Sequence, residues 1–408
     1  MKKTLVALAA LAATVAYAQS SVTIYGIADV AWVTKTHTAG NGTTLSKTSG
    51  IGDGFMAGNR IGFRGTEDLG GGLKAGFNIE QGINLTNGAL FSSRAAAGGQ
   101  QYDGISTSTS MPAGAYSTAT NRQSFVSLGG GFGEVRAGYQ YTALYTVSTL
   151  SGYFFGAEQP GGDMSHGTFE NANYGGTRAN GLTYISPKIA GAWQVTVQHG
   201  AGTGRETAEF SANTANGKTK DNVKRDSFLV NYANGPLNAS FAHTTVKTQA
   251  NAVAANATQA VTGILGVTAI STASAAAVDA KATLNQLAGS YDFGVAKLGA
   301  LYTKGDRTDA GPATPTNVTN KSVNYGVQAP LGATTVFAQW GTSKTTNNVS
   351  GATTFDGRNT QFGAKYSFSK RTTGYIYTGS VKDNVATNAA AATIAKRQAT
   401  AIGLNHTF

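Results

Sequence analysis

No cysteine occurs among the 408 residues, only seven are proline, and charged side chains make up 12 %. Without cysteine there is no disulfide framework, so stability has to come from packing or from a continuous hydrogen-bond network, and small stapled folds are excluded. The charged fraction is about half the usual ~25 %. Yet beyond residue 18 no apolar run approaches the roughly 20 residues of a membrane-spanning helix. Helical 3.6-residue periodicity is almost absent. What is abundant is glycine at 54, phenylalanine at 18 and tyrosine at 17, the composition of turns and aromatic strands.

The first residues read as an export signal. Lys2 and Lys3 precede an apolar run from Leu5 to Val15, and Ala16-Tyr17-Ala18 fits the small-x-small rule for cleavage. Residues 1–18 are therefore expected to be removed, with 19–408 forming one barrel domain. An anchoring helix would need a longer run, and polar Gln19, Ser20 and Ser21 follow at once. Taking 18 residues from 408 leaves 390, and the formal charge falls from +11 to +9 because Lys2 and Lys3 leave with the signal. No run of basic residues accompanies that charge, so nucleic acid is not an expected partner.

Period-2 alternation recurs along the chain, from "SVTIYGIADVAWV" at Ser21 through "RIGFRGTED" at Arg60 and "TTVFAQWGTS" at Thr334 to the last residues. Sixteen such segments can be counted. Short turns at 67–72, 129–133, 186–191 and 234–236 take turns with long Ala/Thr/Asn-rich linkers, the longest at 142–177 and 248–281. That implies a sheet with one short-looped and one long-looped side. One face of each strand is apolar and the other polar or small: Ile61 and Phe63 against Arg60, Gly62 and Arg64; Phe362, Ala364 and Tyr366 against Gln361, Lys365 and Ser367. A soluble sandwich and a membrane barrel both produce this pattern. Strands of ~9 to 11 residues and the lack of any interrupting linker favour a single sixteen-stranded antiparallel transmembrane β-barrel.

The chain stops on "GLNHTF", with Phe408, His406, Leu404 and Ile402 on one face and Thr407, Asn405 and Gly403 on the other. Together with "VTIYGIADV" from Val22, "NRIGFRGTEDLGGGLKA" from Asn59, "NRQSFVSLGGGFGEVRAG" from Asn121 and "RANGLTYISP" from Arg178, this ending resembles the trimeric general porins of Gram-negative outer membranes, especially the neisserial and burkholderial branch. The resemblance covers the whole mature chain. It implies an outer-membrane homotrimer in contact with lipopolysaccharide, a long third loop folded into each pore, and passive passage of small hydrophilic solutes and inorganic anions. It implies an assembly signal at Phe408 with Gly403 five residues before it, read by the barrel assembly machinery. His406 and Ala401 depart from the family's usual aromatic and polar residues there.

By the same resemblance, wall arginines of the constriction fall on Arg60, Arg122 and Arg178, opposed by Glu158 and Asp163 in "GAEQPGGDMS" of the third loop, with Glu170 a further candidate. Alternation alone turns Arg64, Lys74 and Glu80 toward the lumen, since an arginine on the lipid face at mid-depth would cost about 2 to 4 kcal/mol. Three arginines against two carboxylates predict weak anion preference. A substrate-specific or adhesive barrel is the alternative, distinguished by conductance. Other motifs fail: Gly217-Lys218-Thr219 lacks the first glycine of a phosphate loop, Ala212 standing there; no two histidines have zinc-site spacing; and no G-x-S-x-G is present. No enzyme activity, cofactor or metal is implied.

Overall fold

The structure is a computed structural model that describes residues 21–86, 121–150, 178–200, 205–206, 220–250, 278–310, 316–385 and 394–408. The extended segments are β1 (Ser21–Ala39), β2 (Thr44–Asp53), β3 (Arg60–Gly70), β4 (Leu73–Gly82), β5 (Asn121–Gly130), β6 (Gly133–Tyr141), β7 (Arg178–Ile185), β8 (Trp193–Gly200) and β9 (Arg205–Glu206). They continue as β10 (Lys220–Asn234), β11 (Leu237–Ala250), β12 (Val278–Asp292), β13 (Lys297–Ala310), β14 (Thr316–Leu331), β15 (Thr334–Asn347), β16 (Thr353–Ser367), β17 (Thr372–Asp383) and β18 (Ile394–Thr407). One helix, α1 (Ala143–Leu150), is described.

All pairings are antiparallel, and β1 closes the ring against β18 from Ile27 opposite Thr407 to Ala39 opposite Ile394. Closure pairs the wall strands around the ring, where an open edge in hydrocarbon would strand a row of polar backbone groups. Eighteen segments make sixteen wall positions, because β2 and β3 share one and β8 and β9 share another. β3 lies along Ser21–Ile27 of β1 and β2 along Val30–Thr38, while β8 and β9 both lie along β10. The sixteen expected strands are all present. β2 is an addition, since "TLSKTSGIGD" carries only Leu45 and Ile51 as large apolar residues.

The expected strand length needs correction. β3 to β8 run 8 to 11 residues, but β10 to β18 run 12 to 16. The barrel thus has a short wall and a tall one. The tall strands continue past their apolar stretch into Thr, Asn and Lys, where apolar alternation no longer marks them.

The expected facing holds on both walls. Phe63, Ile79, Val126, Leu182, Leu287, Trp340, Phe362 and Ile402 point outward and are exposed, while Glu80, Gln198, Gln286, Asn320 and Gln361 line the inside. Alternation that buries polar residues and exposes large apolar ones is the inside-out arrangement of a barrel set in lipid. At the closing seam the Phe408 ring lies over Gly26, whose missing side chain is what makes room, and the two backbones exchange hydrogen bonds of 3.0 and 3.1 Å. Gly403 faces inward beneath the Tyr375 ring.

Candidate functional site

Among the described residues, two pieces of chain leave the wall and enter the barrel. The first joins β2 to β3 over residues 54–59. Phe55 is buried on the inner wall among Ala31, Val33, Phe337, Tyr375, Tyr377, Ala399 and Ala401. The second is α1. Ala143 and Val147 pack on Leu229, Ala242, Ala288 and Leu301, and Leu144 packs on Val246, Ala282 and Leu284, all inward residues of β10 to β13. The start of the expected third loop therefore lies inside the barrel. Glu158, Asp163 and Glu170 fall in 151–177, outside the described residues, as does most of the linker 248–281.

Asp29 fixes the first insertion. Its carboxylate is fully buried and accepts from the backbone N–H groups of Phe55 at 3.2 Å, Met56 at 2.9 Å and Ala57 at 2.9 Å. It also accepts from the Tyr375 hydroxyl at 2.6 Å and the Asn405 amide at 3.0 Å. Five donors on two oxygens offset much of the desolvation of a buried charge. The Asn59 side-chain oxygen accepts in turn from the Asp29 N–H at 2.5 Å.

That anchor matters because the loop touches the arginines. The Gly58 carbonyl accepts from Arg60 Nε at 2.8 Å, and a Cβ on Gly58 would stand 2.9 Å from Arg122 Nη1. Arg122 Nε donates to Glu80 Oε1 at 2.7 Å, and Arg60 Nη1 lies 3.7 Å from the same oxygen. Glu80 also accepts from the Tyr25 hydroxyl at 3.1 Å. The Tyr141 hydroxyl takes Arg122 Nη2 at 3.0 Å and Arg178 Nη2 at 3.4 Å, and the Arg178 guanidinium lies over the Tyr141 ring at 4.7 Å. Tyr145 of α1 stacks on Tyr141 at 4.2 Å. Glu80 and Tyr141 thus gather three arginines from β3, β5 and β7, with Tyr25 supporting the carboxylate and Tyr145 the Tyr141 ring.

The three sequence-expected wall arginines come together, although alternation explains only Arg60. Val126 and Leu128 point outward, so strict parity would send Arg122 into lipid. A bulge prevents this: Glu80 pairs with Gln123 but Gln81 pairs with Asn121, leaving Arg122 as the extra residue, turned inward. Arg178 shares parity with outward Leu182 and Tyr184, but it opposes Tyr141 at the strand end, where the chain departs for α1.

Glu80, expected only to line the lumen, is the direct ion-pair partner of the cluster. Arg64 stands over the Tyr25 ring at 5.1 Å, on the edge of the group. Lys74 faces inward at the short-turn end, six residues along β4 from Glu80 and about 20 Å away at the usual rise. Sequence reasoning missed Asp29, Tyr141, Tyr145 and Arg225, the last buried with Nη1 3.4 Å from the Arg178 carbonyl. Of these, Arg225 was within reach, since it alternates with inward Ser227 and Leu229 against outward Phe228. Among the described residues no group of His, Asp or Glu is arranged to hold a metal ion.

Comparison with known proteins gives a consistent picture. A profile of the family described as "Gram-negative porin" matches residues 4–387. Outer membrane porin protein 32 of Delftia acidovorans is 34 % identical over 342 residues, 81 % of this chain and 77 % of that protein. An outer membrane porin protein of Bordetella pertussis is 28 % identical across the full length of both chains. Among solved structures, an anion-selective porin from Comamonas acidovorans matches with a TM-score of 0.65 at 24 % identity, over 96 % of this chain and 100 % of the other, a likeness of fold.

Proposed function

Since the chain belongs to the Gram-negative porin family, outer-membrane barrels that let solutes diffuse passively and are not enzymes, we propose that the arginines of β3, β5 and β7 form its constriction and favour small anions. The observation that carries this is Arg60 and Arg122 on the carboxylate of Glu80, with Arg178 joined to them through the Tyr141 hydroxyl it shares with Arg122. The local sum is two positive charges. At ~7 Å in water each is worth about 0.6 kcal/mol for a monovalent ion, so anion and cation differ by about 2.4 kcal/mol unscreened. Screening at physiological salt reduces this to about 1 kcal/mol, roughly a fivefold preference. Carboxylates at Glu158 and Asp163 would lower it further.

Selection here is by size and charge. The guanidiniums are held in place by Tyr141, Glu80 and the Gly58 carbonyl, so a passing anion meets a fixed positive surface and needs no rearrangement. The Comamonas acidovorans porin of similar fold is anion-selective, which supports the same reading.

The working unit is a homotrimer whose subunits meet through the short wall. Val22, Ile24, Phe63, Ile79, Val126 and Leu128 make its outer face apolar and exposed, and its strands carry no outward Lys or Arg among the described residues. Phe408, closing the seam, is the assembly signal, and lipopolysaccharide surrounds the assembled trimer. Single-channel recording in a potassium chloride gradient tests the main reading. A reversal potential on the chloride side is expected, and one at zero or on the potassium side overturns the anion preference.

A further inference from the structure

The outer face of the tall wall has a charge pattern of its own. Each of the nine strands β10 to β18 points a Lys or Arg outward, and the registers bring them into three rows of directly opposed cations. Lys224, Lys247 and Lys281 oppose one another on β10, β11 and β12. Lys304, Lys321 and Lys344 do so on β13, β14 and β15. Arg358, Lys382 and Lys396 form the third row on β16, β17 and β18.

Like charges directly opposite on a sheet face are destabilising, their Cβ atoms only ~5 Å apart. Among the described residues only Lys304 has a carboxylate within 4 Å, that of Asp306 at 3.4 Å, while Asp356 stands opposite Lys344 in register. Asp226 lies two residues along β10 from Lys224 on the same face, so among the described residues that have a described side chain nine cations meet three outward carboxylates and most of the charge is left for anions from elsewhere.

Position identifies those anions. Lys344 lies ten residues above Thr334 at the short turn, which at ~3.3 Å per residue and ~40° of tilt is about 25 Å of height, that of the apolar band of such barrels. Four residues below three of the cations, on the same face, are Trp340 under Lys344, Tyr325 under Lys321 and Phe228 under Lys224, all exposed. A ligand that meets both surfaces has an acyl part and an anionic head at the membrane boundary.

We propose that the three rows are docking sites for the phosphate-bearing headgroups of outer-leaflet glycolipid, one headgroup to a row, and that this lipid collar ends where the short wall begins. The proposal rests on the outer-membrane placement of the barrel and adds to it which face binds lipid and through which residues.

The test uses the intact purified protein in detergent, with lipid binding read by native mass spectrometry and by resistance to heat. The probes are bisphosphorylated lipid A, the same lipid with its phosphates removed, and inorganic pyrophosphate. The wild type is expected to bind the bisphosphorylated lipid at least about tenfold more tightly than either other probe, and the Lys247→Gln/Lys321→Gln/Lys382→Gln variant, which removes the central cation of each row, to lose about tenfold or more. Equal binding of the dephosphorylated lipid, or an unchanged variant, overturns the proposal. Tight binding of pyrophosphate alone makes the rows a free-anion site and overturns the lipid assignment. If the variant does not assemble, a set of Lys→Arg substitutions at the same positions should keep binding, and wild-type binding that persists at high salt counts against the proposal. Conductance of the same preparation reports on the channel separately.

Discussion

The short wall turns every Lys and Arg of its strands inward, while the tall wall sends one from each strand outward. On the short wall Arg60, Arg122 and Arg178 are hydrogen-bonded to Glu80, Tyr141 and a backbone carbonyl; on the tall wall the outward cations oppose one another, and among the described residues of its strands that have a described side chain only Asp226, Asp306 and Asp356 stand on the same face as counter-charge. The positive charge of the barrel is therefore at least two populations serving two environments. Parity along the strand, corrected by one bulge and one strand end, decides which side of the wall a charge reaches. The same guanidinium or ammonium group favours a solute anion inside and a fixed anion outside.

Cutting the seam between the walls should have the largest effect. Asp29 lies on β1 and joins Tyr375 and Asn405 of the tall wall to the loop that leads into β3. Asp29→Ala leaves three backbone N–H groups, a hydroxyl and an amide without their acceptor, at a cost of about 3 kcal/mol or more even if lumen water meets some of them. Heat-modifiability on gels should shift to markedly lower temperature, with noisier conductance from arginines that have lost the Gly58 support. Asp29→Asn, which keeps one acceptor oxygen, should fall between. A normal melting profile for Asp29→Ala would show that the loop is held without it.

Second in size is the charge of the short wall itself. Arg60→Glu with Arg178→Glu changes the local sum from two positive to two negative charges, so the reversal potential should change sign toward cations, most clearly at low salt. Trimers that conduct yet keep an anion preference would remove these arginines from the constriction.

How much of this contrast was visible in sequence depends on how far apart the interacting residues lie. The sixteen strands were legible because each carries its own alternation of apolar and polar residues, a local signal. Facing was legible for Arg60, Arg64 and Glu80 for the same reason. Arg122 and Arg178 break parity, and only resemblance to a family pointed to them, because the bulge that turns Arg122 is a property of two strands some forty residues apart. Asp29 was invisible, since its partners lie up to 376 residues away. The lysine rows looked like scattered charge because cross-strand neighbours such as Lys321 and Lys344 never form a run in the chain.

Outward apolar residues sharpen the comparison with a smaller effect. Leu287→Arg, on the lipid face of the tall wall, should lower stability by about 2 to 4 kcal/mol and leave the oligomer intact. Val126→Arg, on the short wall, should instead dissociate it, because the new charge would be buried between subunits. Sedimentation or cross-linking in detergent distinguishes the two. If Val126→Arg stays trimeric, the subunits meet elsewhere and both walls face lipid.

The smallest expected effect separates the two populations of charge most cleanly. Lys321→Gln with Lys344→Gln removes as many positive charges as the short wall has in net excess, but from the outer surface. The wall between these side chains and the pore holds the inward Asn320, Ser343 and Gln339, and the lumen beyond it is filled by screening electrolyte with a Debye length of ~8 Å at physiological salt. The field of an outward lysine at the axis of the pore is accordingly a small fraction of that of Arg60 or Arg122, which line it. Reversal potential should be unchanged at physiological salt and move slightly toward cations only when salt is lowered and the screening length grows. A shift comparable to that of the arginine variants would mean that selectivity is set by the charge of the whole barrel, and the distinction between inward and outward cations would lose its functional meaning.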